Sequence, residues 1–334
     1  MCFKKEKIML NNEIYTKFSE AQIGTTINRP VLVSSIIENT ARNGNTFVKI
    51  TVRDGFSEIT ALIFDTSAAK LEAAGICNET IADVQMSVSE YQGAKSFKIL
   101  EIKPTADTSL SVNDFTKLPP VDLDLMYDEI CSLIKSAADN CSDKYTPLSE
   151  LALQILDEHK SSYITSSASI SMHHNLRGGL LYHSYRMVKA ADALCSVYTG
   201  LDRELMLCGT ALHDIGKVWE YKTSLSGNAE FTSGGVLFGH IYMGASLIKG
   251  YTKDRNYNME KVQLLIHMIL SHHGTQEWGA VSCPAIPEAF ALHYIDNLDA
   301  KIYACENFYE SLEPGSITEK KPFGFDNRIY KPNL

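Results

Sequence analysis

The residues that could do chemistry crowd into the second half of the chain. Nine of its ten histidines lie after residue 172, the tenth being His159. In "GGLLYHSYRMVKAADALCSVY", Leu180, His183, Met187, Ala191 and Leu194 recur at helical spacing, which turns His183 inward. In "ELMLCGTALHDIGKVWE", an apolar stripe of Leu205, Cys208 and Leu212 runs into His213 and Asp214, followed by Gly216 and Lys217. "GHIYMGASLIKG" opens an apolar helix on His240, with Gly244 allowing close packing. "VQLLIHMILSHHGTQEWG" ends another on His272 and His273, and Gly274 stops it. "PEAFALHYIDNLDAKIYA" sets Asp296 and Asp299 one turn apart on an apolar helix. Each has a plain alternative when taken singly. A lone inward histidine is usually a satisfied core residue. His213-Asp214 reads equally as a polar helix end with Gly216 as terminator. His240 reads as an ordinary helix N-terminal residue, His267 as packing, and His293 stays ambiguous.

The set is harder to dismiss. Carboxylates beside apolar stripes are costly unless paired or metal-bound. Adjacent helical residues diverge by about 100°. His213 and Asp214 can therefore share one ion only from a tapered helix end, or else bridge two. Imidazole and carboxylate without thiolate suit manganese, iron, cobalt, nickel, magnesium or a catalytic zinc rather than a structural zinc cage. His183, His213, Asp214, His240, His272, His273 and Asp296 exceed the four ligands of a mononuclear tetrahedral site. They suit two divalent ions about 3.5–4 Å apart, bridged by a carboxylate. The eight cysteines form no C-x-x-C pair, so a thiolate zinc site or redox motif is not expected.

Two kinds of element must position these groups. Residues 20–105 carry five β-type runs, "RPVLVSSIIENTA", "NTFVKITVRDG", "EITALIFD", "ADVQMSVSEYQG" and "KSFKILEIKP". Asn43-Gly44, Asp54-Gly55 and Gln92-Gly93 mark turns between them. A helical piece, "TSAAKLEAAG", follows the third run. Five strands with a helix between the third and fourth match an OB-fold barrel. "TADTSLSVNDFTKLPPVD" reads as a linker. Helical periodicity then recurs near 123–139, 147–157, 179–198, 203–213, 240–250, 259–271 and 287–309. The expected architecture is multidomain: an N-terminal all-β barrel, then an all-α bundle.

Composition narrows the class. The 334 residues suffice for two domains, with 45% apolar and 21% charged residues as in a soluble globular protein. No run approaches the ~20 apolar residues of a membrane span, and "MCFKKEKIML" is too short for a signal-peptide core. A cytoplasmic protein without membrane partner is expected. The net charge of −9 argues against tight, metal-free binding to duplex DNA. It does not exclude a nucleic-acid enzyme whose ions bring their own positive charge. Residues 28–105 hold eight Lys/Arg against nine Asp/Glu, weak for a nucleic-acid-binding barrel. Tyr91, beside a turn, is the best candidate for base stacking; Arg53, Lys95 and Lys98 are candidates for phosphates. Phe47 and Phe64 are expected in the core.

H…HD…D in an all-helical setting resembles the HD-domain superfamily of metal-dependent phosphohydrolases. "HHNLRGGLLYHSYRM", "ALHDIGKVWE", "GHIYMG", "ILSHHGTQEWG" and "ALHYIDNLDAKI" behind an OB-like barrel, closing on "NRIYKP", further resemble the YhaM family of 3′–5′ exoribonucleases. By that resemblance His183, His213, Asp214 and Asp296 match the core metal ligands. His240, His272 and His273 match the additional histidines of two-metal subgroups. The resemblance also implies manganese dependence and a homo-oligomer. Its domains would be a segment 1–17, an OB-fold domain 18–106, a linker and connecting helix 107–145, an HD-type domain 146–312 and a tail 313–334.

The expected reaction is removal of 5′-mononucleotides from single-stranded RNA or DNA by a water activated between two ions. Asp214 and Lys217 stand at its centre, with Lys217 offsetting charge on the phosphoryl oxygens. Asp299 and Glu277 are candidates for holding ligands or handling protons, and His174 and Arg177 for touching phosphate. One rival is an HD-type phosphohydrolase of free or cyclic nucleotides, which has little need of a strand-tracking barrel. Another is a non-catalytic nucleic-acid adaptor with a structural metal, which has no need of open coordination positions.

Overall fold

The computed structural model describes residues 8–10, 13–40, 44, 46–138, 144–169, 176–253 and 255–334. Two compact units emerge: Met1–Leu118 with Ser224–Asn228, and Pro119–Thr223 with Ala229–Leu334.

The first unit opens with a short hairpin, β1 (Ile8–Leu10) and β2 (Glu13–Tyr15). Then come β3 (Thr26–Thr40), β4 (Thr46–Arg53), β5 (Glu58–Phe64), α1 (Ala68–Ala73), β6 (Ile81–Tyr91) and β7 (Ala94–Pro104). The last five strands close into a barrel in the order β3-β4-β5-β7-β6, with β5 and β7 parallel and β6 returning to β3. With α1 between the third and fourth barrel strands, this is OB-fold topology. Alternation builds it. Val48, Ile50 and Val52 point inward and are fully buried, while Phe47, Lys49, Thr51 and Arg53 take the outer face.

The base of the barrel carries a buried ion pair. Arg29 and Asp54 approach to 3.4 Å, and Asp54 also accepts from the backbone N–H groups of Phe18, Phe56 and Ser57. The stretch read as a linker is partly structure: Phe115 is fully buried against Leu32. A polar sequence hid this, because one aromatic anchor suffices to dock it.

The second unit is built of α2 (Leu123–Ser136), α3 (Leu148–Glu158), α4 (Lys160–Thr165), α5 (Gly179–Val197), α6 (Arg203–Leu212), α7 (Lys217–Glu220), α8 (Ser233–Tyr251), α9 (Met259–Ser271) and α10 (Pro287–Ser311). A small hairpin, β8 (Tyr221–Thr223) and β9 (Ala229–Phe231), separates α7 from α8. α6 is buried on all sides from Glu204 to Leu212, which marks it as the central helix. α8 breaks at Gly239, whose φ of 69° and ψ of 157° are not helical, and helix resumes at His240. The C-terminal stretch folds back on α10: Lys331 Nζ donates to the carbonyls of Tyr309 and Leu312, both at 2.6 Å. Among the described residues no helix is long and apolar enough to cross a membrane.

Candidate metal centre

The centre lies within the helical unit, where α5, α6, α8, α9 and α10 each contribute at least one group. His213 ends α6, and its Nδ1 donates to the carbonyl of Thr210 at 2.8 Å. His272 ends α9 in the same way, donating to the carbonyl of Ile269 at 2.7 Å. His273 Nδ1 donates to the carbonyl of Trp278 at 2.9 Å. His240 Nδ1 faces Glu220 at 3.0–3.1 Å, and its backbone N–H donates to the same carboxylate at 2.9 Å. His183 Nδ1 faces Asp299 at 2.7 Å. Carbonyls and carboxylates can only accept, so each acceptor fixes the proton on Nδ1 and leaves Nε2 for a ligand.

The Nε2 atoms of four of these rings converge on Asp214. Its Oδ2 lies 3.3 Å from His213 Nε2 and 3.9 Å from His183 Nε2. Its Oδ1 lies 3.4 Å from His240 Nε2 and 3.7 Å from His272 Nε2. Two ligand triads result, His183-His213-Asp214 and His240-His272-His273. Asp296 Oδ1 stands 3.2 Å from His183 Nε2. A metal ion fits here on the evidence of the polar atoms themselves. Asp214 Oδ1 and the Nε2 atoms of His213, His240 and His272 are buried without a hydrogen-bond partner. Four such atoms facing one another would be expensive unless a cation satisfies them. Ligand atoms each about 2.1 Å from an ion lie about 3–3.5 Å apart, close to the spacing found.

The electrostatics agree. Burial pushes the Asp214 carboxyl up, but the Lys217 ammonium and His213 more than reverse it, holding the group well below the usual carboxylate range. Burial likewise disfavours charge on Asp296, and His183 again reverses it. Burial works against protonation of His183, while hydrogen bonds to Asp296 and Asp299 raise its pKa to about 9. A niche that attracts a proton this way attracts a metal cation too, and the two compete for the same nitrogen. His272 and His273 are pushed down, first by burial and then by neighbouring imidazoles.

The other residues singled out in the sequence fall as follows. Lys217 Nζ is 2.6 Å from Asp214 Oδ2. Asp299 joins His183 to Arg186, whose Nε lies 2.6 Å from Asp299 Oδ1. Glu277 is exposed on the turn after α9; the group that holds His273 is the neighbouring Trp278 carbonyl. Arg177 is half-buried just before α5, and His174 lies outside the described residues. Gly216 is no terminator. Its backbone is right-handed helical, and a Cβ there would run into the backbone carbonyl of His240. Gly274, with a φ of 82°, does end its helix.

On the barrel, Tyr91 is 67% exposed beside the Gln92-Gly93 turn. Lys98 Nζ sits 5.1 Å over the Phe64 ring. Arg53 is occupied by Glu58, the Ser226 carbonyl and Asn228 Oδ1, and Lys95 Nζ donates to the Ser19 carbonyl at 2.7 Å, so neither cation is held out towards a phosphate. Phe47 and Phe64 correct the sequence expectation. They pair across β4 and β5 on the outer face, rings 6.1 Å apart, with Phe64 44% exposed.

Glu220, Arg186 and the Trp278 carbonyl were missed, and His293, ambiguous in the sequence, donates through Nδ1 to the His272 carbonyl. Glu220 closes the "ALHDIGKVWE" stretch, and as a 5% exposed acid it needed a partner. A backbone carbonyl carries no residue-type signal.

A barrel of OB topology and a helical unit with this His/Asp centre define an OB-fold protein with an HD-type metal centre. The family model described as "HD domain" matches residues 180–301. The 3′–5′ exoribonuclease YhaM of Bacillus subtilis (strain 168) is 31% identical over 94% of this chain and 97% of its own. That of Shouchella clausii (strain KSM-K16) is 32% identical over 94% and 95%. Among solved structures, the second OB-fold domain of replication protein A from Methanococcus maripaludis aligns with 29% of this chain and 100% of its own, at 16% identity and a TM-score of 0.23. The chain belongs to the YhaM family of 3′–5′ exoribonucleases.

Proposed function

We propose that this chain is a metal-dependent 3′–5′ exoribonuclease that shortens single-stranded RNA to 5′-mononucleotides. The supporting observation is the convergence of four imidazoles on Asp214, with His273 grouped beside His240 and His272, each of the five rings held through Nδ1. His183, His213, Asp214 and Asp296 would hold one divalent ion, manganese by preference. His240, His272, His273 and the second oxygen of Asp214 would hold another. Ions in such a site supply Lewis-acid polarisation of a phosphoryl oxygen and a water acidic enough to attack near neutral pH.

The chain's own groups prepare the rest. Lys217 keeps Asp214 ionised, and its ammonium beside the ligand cluster would offset charge that builds up on a non-bridging phosphoryl oxygen in the transition state. Asp299 orients His183, and Arg186 holds Asp299. Glu220 orients His240. On the barrel, the Phe47–Phe64 pair with Lys98 gives two rings and a cation on one outer face, the combination that suits an unpaired strand. Tyr91 offers a further ring. The exposed run Val236, Leu237 and Phe238 supports assembly as a homo-oligomer. Free cysteines, among those described, support a cytoplasmic setting.

The test is product analysis on 3′- and 5′-labelled oligoribonucleotides, with oligodeoxynucleotides and free or cyclic nucleotides alongside, in manganese and in chelator. Stepwise shortening from the 3′ end with 5′-mononucleotide release is expected, abolished by chelator and by Asp214→Ala. Hydrolysis of free nucleotides alone would overturn the proposal.

A further inference from the structure

The molecule has two tryptophans. Trp219 packs against the helical core with the His159 ring 4.9 Å away, edge-on. Trp278 is 61% exposed, on the short turn Gln276–Trp278 that follows the metal-ligating pair His272-His273. An indole left in water is unusual, and this one is not on a loose loop. Its backbone N–H donates to the Thr275 carbonyl at 3.1 Å, and the N–H of Ala280 donates to the same carbonyl at 3.1 Å. Gly279 turns the chain at a φ of 95°, a conformation open to glycine. The Trp278 carbonyl accepts from His273 Nδ1.

The ring is backed as well. The His293 imidazole lies 5.9 Å from it, centroid to centroid, at 39°. His293 is itself fixed, since its Nδ1 donates to the His272 carbonyl at 2.9 Å. The indole therefore hangs from both members of a ligand pair, through its own backbone and through the ring behind it. An exposed aromatic face thus sits on the turn that carries the ligand pair, its backbone tied to that turn and its ring next to His293.

Taking the exoribonuclease reading as its basis, we infer that Trp278 is the platform on which the 3′-terminal base of the RNA stacks while its 5′-phosphate lies at the metal centre. The indole and the His273 imidazole sit on one short turn, joined through the His273 Nδ1 to Trp278 carbonyl hydrogen bond. Stacking is tolerant of sequence, because every base has a π-face. An enzyme that consumes an RNA end must accept whichever base comes next.

The experiment uses the full chain in manganese. Wild type and Trp278→Ala are compared on oligoribonucleotides that are intact, abasic at the terminal nucleotide, or abasic at the penultimate one. Trp278→Ala is expected to raise KM about tenfold on the intact strand, within what one base stack contributes, with kcat changed less than twofold. Trp278→Phe should recover most of the loss. The difference between wild type and Trp278→Ala should vanish on the terminally abasic strand and persist on the penultimate one. An unchanged KM, or a penalty that vanishes only with the penultimate base, would overturn the inference. Separately, Trp219→Phe leaves Trp278 as the sole tryptophan. Its emission should be quenched by adenosine 5′-monophosphate but not by ribose 5-phosphate. Equal response to both, or emission that follows protein concentration alone, also counts against the platform. Should wild type hydrolyse no oligonucleotide, the exoribonuclease reading fails by itself, and the fluorescence titration still decides whether Trp278 takes a base.

Discussion

At the scale of single residues, the centre depends on how its ligands are held. Glu220 accepts both from the His240 ring and from the His240 backbone N–H. Glu220→Gln keeps the shape, but its neutral amide is a weaker acceptor. Loss of such a supporting carboxylate costs about 10–100-fold in metal affinity. The manganese concentration for half-maximal activity should therefore rise at least tenfold, with kcat largely restored at saturating metal. A kcat that stays low at every metal concentration would show that Glu220 does something else. All seven candidate ligands could be picked out in the sequence, because imidazole and carboxylate beside apolar stripes are conspicuous. Their supports were visible only in part. Asp299 stood out as a carboxylate on an apolar helix. The acceptors for His213, His272 and His273 are main-chain carbonyls, which any residue supplies.

At the scale of elements, periodicity located the barrel strands and the long helices. It faltered where an element is short or its pattern is overridden. α7 spans four residues, too few to show a period. The expectation of Phe47 and Phe64 in the core overlooks that Phe47 shares parity with Lys49, Thr51 and Arg53, which marks an outward face. Two predictions belong here. Breaking a buried ion pair by removing one partner costs about 3–5 kcal/mol, so Asp54→Ala should destabilise the barrel by that order in denaturant unfolding. A loss below about 1 kcal/mol would mean that Arg29 finds another partner. Gly216→Ala puts a methyl group against the His240 backbone carbonyl, which cannot swing aside as a side chain would. It should displace His240 from Asp214 while sparing His183 and His213. Bound manganese should then fall from two ions per chain towards one; two retained ions would refute the placement.

At the scale of the whole molecule, the division of labour is plain. The helical unit holds every candidate metal ligand, and the barrel contributes strands, rings and a near-neutral charge. The net charge of −9 fits a protein whose contact with phosphate relies on bound cations more than on a broad basic surface. The ligands are also drawn from helices far apart in sequence, from His183 on α5 to Asp296 on α10. Ions joining them would act as reversible cross-links across long intervening stretches of chain, and only the folded form could keep them. Protease sensitivity should then become a metal sensor confined to one half of the chain. Manganese should slow digestion of the helical fragment severalfold and leave the barrel's rate untouched, so that a cell short of the ion would lose the ligand-bearing helical unit of this protein before the barrel.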